Sequence, residues 1–430
     1  MTDVLVVVAF ATAYVLIATE RIHRVAAALG GAAVMVLLGV VDAHVAFYSE
    51  RTAVDWNVIF LLLGMMVIVG VLRQTGVFEY LAILTAKRAR GRPFVVMASL
   101  MVLTAVASAL LDNVTTVLLV APVTLLVCDQ IEASPIPFLI AEAMASNIGG
   151  TATLVGDPPN IIIASRSGLT FNDFLVNLAP IVVVLLVVTI FLFRWMFRRE
   201  LASEPPDLEA LMSLDEREAI TNPRLLVKSL VVLAAVMIAF ISHGVLDIEP
   251  SLVALLGAGA LVAISRLEPS EYLGEVEWPT LVFFMGLFVM VGALVQTGII
   301  GSLAQDATDA IGQRYFLASS IILFASGALS GIVDNIPYVA TMAPLVHDLV
   351  RAGNGDTGAG AAWWSLALGA DLGGNATAVG ASANVVVLGI AARNGHPISF
   401  WMFTKYGLIV ATVTISISWL YVGLRYFAFA

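Results

Sequence analysis

Two dipeptides, Asp112-Asn113 and Asp334-Asn335, put an acid and an amide in the middle of long apolar stretches. An ionised carboxylate at membrane depth costs at least about 2.5–3.5 kcal/mol, so such a group is paired, cation-bound or protonated. No lysine or arginine lies close in sequence to either aspartate. The available compensators are a bound cation, a proton, or the polar side chains of Asn113, Thr115, Thr116, Asn335 and Thr341. A plainer role is also open, in which Asp112 caps a half-helix by accepting N–H bonds.

Two glycine-rich segments carry the second constellation. One runs Asn147-Ile148-Gly149-Gly150-Thr151 and on to Gly156-Asp157-Pro158-Pro159-Asn160; the other holds Asp371, Gly373-Gly374-Asn375-Ala376-Thr377 and Asn384. Glycine and proline interrupt the helical hydrogen-bond ladder. Freed carbonyls can coordinate a cation, and a half-helix N-terminus offers N–H groups to an anion. Glycines that only let helices pack closely are the alternative. Two such segments in register, each following an Asp-Asn pair, favour an ion site.

The register is that of an internal repeat. Trp56, Gly64, Gly70 and Gln74-Thr75-Gly76 return 222 positions later as Trp278, Gly286, Gly292 and Gln296-Thr297-Gly298. Asp112-Asn113 and Pro122 return as Asp334-Asn335 and Pro344 at the same shift, and Gly149-Gly150 and Asn160 return as Gly373-Gly374 and Asn384 at 224. The acids of the second constellation break the pattern, because Asp157 aligns with Ala381 and Asp371 with Asn147. Two identical ion sites are therefore not expected.

The elements that carry these residues follow from composition. The 430 residues are 60% hydrophobic and 12% charged, with a mean hydropathy of +0.98. A soluble domain is nearer 45–50% apolar and about 25% charged. Apolar runs long enough for a roughly 30 Å hydrocarbon layer recur throughout, and the short alternating segments of a β-barrel are absent. An all-α polytopic membrane protein is expected.

Spans are predicted near 3–19, 25–43, 57–73, 136–164, 174–197, 226–244, 250–265, 279–295, 363–392 and 405–428, with 136–164 and 363–392 interrupted. The regions 93–128 and 315–352 read as re-entrant hairpins tipped by the Asp-Asn pairs, with two ordinary spans as the alternative. Five spans and one hairpin per half invert the second half relative to the first. This divides the chain into repeats at 1–199 and 225–430, joined by a polar linker at 200–224 that holds Glu204-Pro205-Pro206-Asp207 and a short surface helix over Leu208–Ala219. Inverted repeats are the architecture of secondary transporters, with the site near the midplane. Val77–Arg90 and Ile299–Ile311 read as amphipathic arms or ordinary connectors.

Placing the Lys87–Arg92 loop in the cytoplasm leaves only Arg51, Arg166, Arg314, Arg351 and Arg425 of the 21 basic residues outside. This puts both termini outside a prokaryotic inner membrane. The N-terminus lacks a basic n-region and reads as a retained first helix. Cys128 is alone, so intrachain disulfides and thiolate clusters are excluded. The five histidines lack metal-ligand spacing, no phosphate-binding loop suggests ATP-driven transport, and nothing calls for nucleic acid.

Ser108–Thr116 followed by Ser146–Asn160, with Asp334-Asn335-Ile336-Pro337 and Pro344, resembles the ion transporter superfamily over nearly the whole chain. Within it the chain is most similar to the arsenite-permease and P-protein (pink-eyed dilution) group. The resemblance implies a scaffold domain, a transport domain carrying two hairpins, elevator-type movement and a homodimer. It marks Asn113, Thr115, Gly149, Asn160, Asn335, Gly373 and Asn384 for sodium and substrate. Aspartate in place of serine at the tips, and Pro337-Tyr338 after the second, favour a proton- or cation-linked cycle over dicarboxylate transport. The expected activity is not enzymatic. It is secondary transport of arsenite or a similar small inorganic anion or metalloid, coupled to H+ or Na+, with no cofactor beyond a bound Na+. Na+/H+ antiport is the alternative; a channel or receptor on the same fold is less favoured.

Overall fold

A computed structural model describes residues 2–19, 21–49, 52–202, 212–213, 215–246, 248–312, 314–353 and 356–428, and these are helical with no strands. Ten helices form the first half: α1 (Thr2–Thr19), α2 (Arg24–Leu37), α3 (Ala43–Phe47), α4 (Trp56–Arg73), α5 (Val77–Arg88), α6 (Pro93–Leu110), α7 (Asn113–Gln130), α8 (Pro135–Gly150), α9 (Pro158–Ser167) and α10 (Phe171–Met196). The second half repeats them in order: α11 (Pro223–Leu246), α12 (Pro250–Ser265), α13 (Pro269–Leu273), α14 (Trp278–Gln296), α15 (Ile299–Ile311), α16 (Tyr315–Ser330), α17 (Asn335–Ala352), α18 (Thr357–Gly373), α19 (Ser382–Arg393) and α20 (Phe400–Gly423). Seven helices among the described residues are long and apolar enough to cross a bilayer.

Helix starts follow local chemistry. Proline occupies the first turn of α6, α8, α9, α12 and α14, where its missing N–H has no intrahelical partner to lose. Thr170 and Asp173 close a reciprocal cap on α10. The segments read as arms or connectors are the helices α5 and α15.

The halves interlock through glycine. A Cβ on Gly64 of α4 would stand 2.6 Å from the Ala254 backbone of α12, and one on Gly286 of α14 would stand 2.9 Å from that of Ala28 in α2. Each half therefore seats its fourth helix on the second helix of the other. α7 likewise packs on α19, and α17 on α9. Within each half α8 lies on α6, and α18 on α16.

The interruptions fall where glycine and proline put them, at 151–157 between α8 and α9 and at 374–381 between α18 and α19. The turn between α6 and α7 is Leu111-Asp112, and both residues are buried. It meets the break after α8, where the Thr153 hydroxyl donates to Ala109 O. The linker's Pro205-Pro206-Asp207 signal and residues 208–211 and 214 of the predicted surface helix, like Arg51, lie outside the described residues. The end of that segment is a 3₁₀ turn, Glu216–Ala219, not an α-helix. Thr221 N–H donates to Thr75 O at 3.1 Å, and Lys87 pairs with Glu216 at 2.6 Å, so the segment is fastened to α5.

Candidate ion site at the meeting of the breaks

The four polar elements flagged in the sequence converge. Asp157, at the end of the first break, accepts from the Asn113 amide at 3.0 Å and the Asn335 amide at 3.2 Å, both on its Oδ2. A carboxylate only accepts, so both tips must turn their NH2 groups toward it. Asn147 receives the second Asn113 hydrogen at 3.3 Å and donates across to Asn375 at 2.9 Å and Asn384 at 3.1 Å. One network thus links both tips and both breaks.

The breaks are closed loops. Gly150 and Gly156 approach so closely that a Cβ on the latter would lie 2.5 Å from Gly150 O, and Gly380 repeats this with Gly374 O at 2.7 Å. Asn160 fastens the first loop by its amide to the carbonyls of Gly150, Thr151 and Thr153. Asn384 does the same for Gly374 O at 2.8 Å and Thr377 O at 2.9 Å. Threonines pin the loops to the tips, Thr153 on Ala109 O and Thr377 on Gly331 O, each at 2.6 Å. Thr151 turns back on Asn147 O. Gly149 and Gly373 have the packing role: a Cβ would fall 2.2 Å from Ala105 O and 2.5 Å from Gly327 O.

What the network leaves open is more informative. Asp157 Oδ1, both oxygens of Asp371, Asn160 Oδ1 and Asn375 Nδ2 are buried without a hydrogen-bond partner among the described residues. Thr151, Asn160 and Asp157 stand near the Asp371 carboxylate. Neither acid pairs with a basic side chain among the described residues. Buried carboxylates in that state are stable only with a proton or a cation.

The two tip aspartates differ from this pair and from each other. Asp112 is the N-cap of α7, with Oδ1 on Thr115 N at 2.8 Å and Oδ2 on the Thr115 hydroxyl at 2.5 Å, while Thr116 bonds its carbonyl. This is the capping role left open above. In the repeat Thr115 becomes Pro337, which has neither N–H nor hydroxyl. Asp334 instead accepts from Ile336 N at 3.1 Å and the Ser382 hydroxyl at 2.6 Å, with Arg24 at 3.5 Å. The expected compensator Thr341 is not used, because its hydroxyl turns to Pro337 O. Arg24 and Ser382 were not foreseen, since nothing in the sequence ties α2 or α19 to the second tip. Ser108 and Ser146, which bond each other and the carbonyls of Ser146 and Asn113, lay in plain view within the motifs.

Two clefts related by the repeat flank the centre. One, of about 310 Å³, is lined by the start of α4, by α9 and by the start of α12, and it reaches neither tip. The other, of about 430 Å³, is lined by Arg24, Glu277, Thr280 and Ser382 and reaches Val114 and Asp334 at both tips.

A helical membrane protein made of a duplicated unit, with broken helices meeting over paired acids, has the form of a membrane transporter. The chain belongs to the citrate transporter family (CitMHS), whose sequence model matches residues 14–369. It is 57% identical to an uncharacterized transporter of Mycobacterium tuberculosis over 99% of both chains. It is 31% identical to the P protein of Mus musculus over 95% of this chain and 58% of that one. The Alcanivorax borkumensis YdaH transporter, of unusual topology, shares the fold at a TM-score of 0.63, with 15% identity and coverage of 87% of this chain and 85% of that one.

Proposed function

We propose that this membrane transporter works by secondary active transport, coupling H+ or Na+ to a small inorganic solute such as arsenite or a related metalloid. In this reading Asp157 and Asp371 carry the coupling cation. The observation behind it is the set of buried carboxylate oxygens that no protein donor satisfies. The oxygens of Asp157, Asp371 and Asn160 suit a proton or a Na+ ion as donor set. A tricarboxylate such as citrate would need cationic donors, and the centre offers amides and acids. An undissociated metalloid hydroxide, which donates as well as accepts, fits better. The helix pairs α6–α7 and α16–α17 are the moving re-entrant hairpins of an elevator, in a homodimer.

A second reading, direct Na+/H+ exchange, is favoured by the proximity of the two unpaired acids. Proteoliposomes given pH and Na+ gradients in separate runs, with arsenite, Na+ and H+ followed, test both. Arsenite flux driven by either gradient supports the first reading. Na+-driven proton flux without an oxyanion replaces it with the second, and no cation-driven flux of any kind contradicts both.

A further inference from the structure

We infer that Arg24 is a tethered cation that occupies Asp334 and must be displaced before a coupling cation loads at the second tip. This rests on the cation-coupled reading above. The Arg24 guanidinium, at the start of α2, gathers three other elements. It donates to Ser382 Oγ of α19 at 2.6 Å and to Thr280 Oγ1 of α14 at 3.2 Å, lies 3.5 Å from Asp334 Oδ2 at the N-cap of α17, and stacks 5.5 Å from the Phe283 ring centre. Ser382 in turn donates to the same Asp334 oxygen. The contact joins the α2–α14 pair to the second tip and to the start of α19, just past the second break.

Three features make this a site of exchange. The pair lines an open cleft, with the Arg24 and Asp334 side chains 28% and 18% exposed, so ions in solution reach it. The separation of 3.5 Å is longer than a charge-assisted hydrogen bond, and loosely held, partly exposed pairs are weak. The fold does not require the cation either. Ala28 and Ala254 are equivalent at the glycine crossings, which makes Pro250 the counterpart of Arg24, and the first tip is satisfied by Thr115 alone. Among the described residues, the other titratable groups around Asp334 are His23 and Glu277 in the cleft, Tyr14 of α1, Tyr338 of α17 and Asp157. The cleft therefore presents acids to an incoming cation and one cation of its own to be moved.

Modification of Asp334 by dicyclohexylcarbodiimide, read by peptide mass spectrometry on the purified full chain, reports whether Arg24 covers the carboxylate. Wild type and Arg24→Lys should react slowly and Arg24→Gln several-fold faster, with Asp112 in the same sample unchanged. Added Na+ should protect Asp334 in Arg24→Gln at about one tenth of the concentration wild type needs, and protons, which the carbodiimide requires on the carboxyl, should instead speed its reaction at about one tenth of the wild-type concentration. Equal reaction of Asp334 in wild type and Arg24→Gln overturns the proposal. Faster reaction in Arg24→Gln with no change in the response to Na+ or to protons overturns it as well, and leaves loading at Asp157 and Asp371 to be judged by the flux assay alone.

Discussion

Asn113 and Asn335, equivalent residues of the two halves, donate to one and the same oxygen of Asp157. A duplicated scaffold thus converges on a residue that the duplication does not contain, since Asp157 aligns with alanine. The symmetric parts position, and the unmatched acid receives.

If the two amides orient Asp157, their removal should weaken cation binding without unfolding the protein. Asn113→Ala or Asn335→Ala each deletes one hydrogen bond to a charged group, worth about 1.5–3 kcal/mol, or roughly tenfold or more in apparent affinity. Asn113→Asp should do worse, because it sets a second carboxylate against Asp157. Cation titrations of flux in proteoliposomes check both orders.

Asp112 is held as a cap, and asparagine caps nearly as well as aspartate. Asp112→Asn should keep most transport activity, while Asp112→Ala should cost about 1 kcal/mol of stability. Thermal unfolding in detergent, paired with flux, separates the two. Loss of transport in a fully stable Asp112→Asn would move Asp112 into the ion site.

The helix crossings at Gly149 and Gly373 admit no side chain. Gly149→Ala and Gly373→Ala force a Cβ to within 2.2 Å and 2.5 Å of backbone oxygens, so backbone must shift. A loss of about 1–3 kcal/mol is expected for each, with a lower melting temperature. Gly259→Ala, which meets nothing within 4 Å on its helix, should leave melting unchanged or raise it slightly.

The linker contact has a pH signature. The hydrogen bond from Lys87 holds the Glu216 carboxyl below its ordinary value of 4.5. A carboxyl lowered in the folded state contributes stability above its unfolded value, and the contribution fades as pH falls through the lowered folded value. The segment should therefore stay fastened to α5 at neutral pH and loosen only below about 4.5. Glu216→Gln should loosen it at neutral pH, seen as faster proteolysis near residues 212–219, and high salt should mimic the variant.

Much of the fold was legible because glycine and proline punctuate it. The broken helices at 151–157 and 374–381, the helices α5 and α15, and the turn at Asp112 all follow from residues whose backbone limits are strong and local. The central acids were legible too, because Asp157 and Asp371 each break a repeat that is otherwise faithful. Arg24 was not, since its partnership with Asp334 spans most of the chain and depends on how the halves interlock. The division of labour among the glycines was equally hidden: only the crossing distances separate Gly149, which packs, from Gly150, which closes a loop.

The central claim, that Asp157 and Asp371 carry the coupling cation, is tested most directly by cation-driven flux in proteoliposomes bearing Asp157→Asn, normalised to folded protein. The account predicts a loss of flux of about a hundredfold or more, equivalent to about 2.7 kcal/mol, in a protein that remains monodisperse. Flux at the wild-type rate, with the wild-type dependence on H+ and Na+, would contradict it.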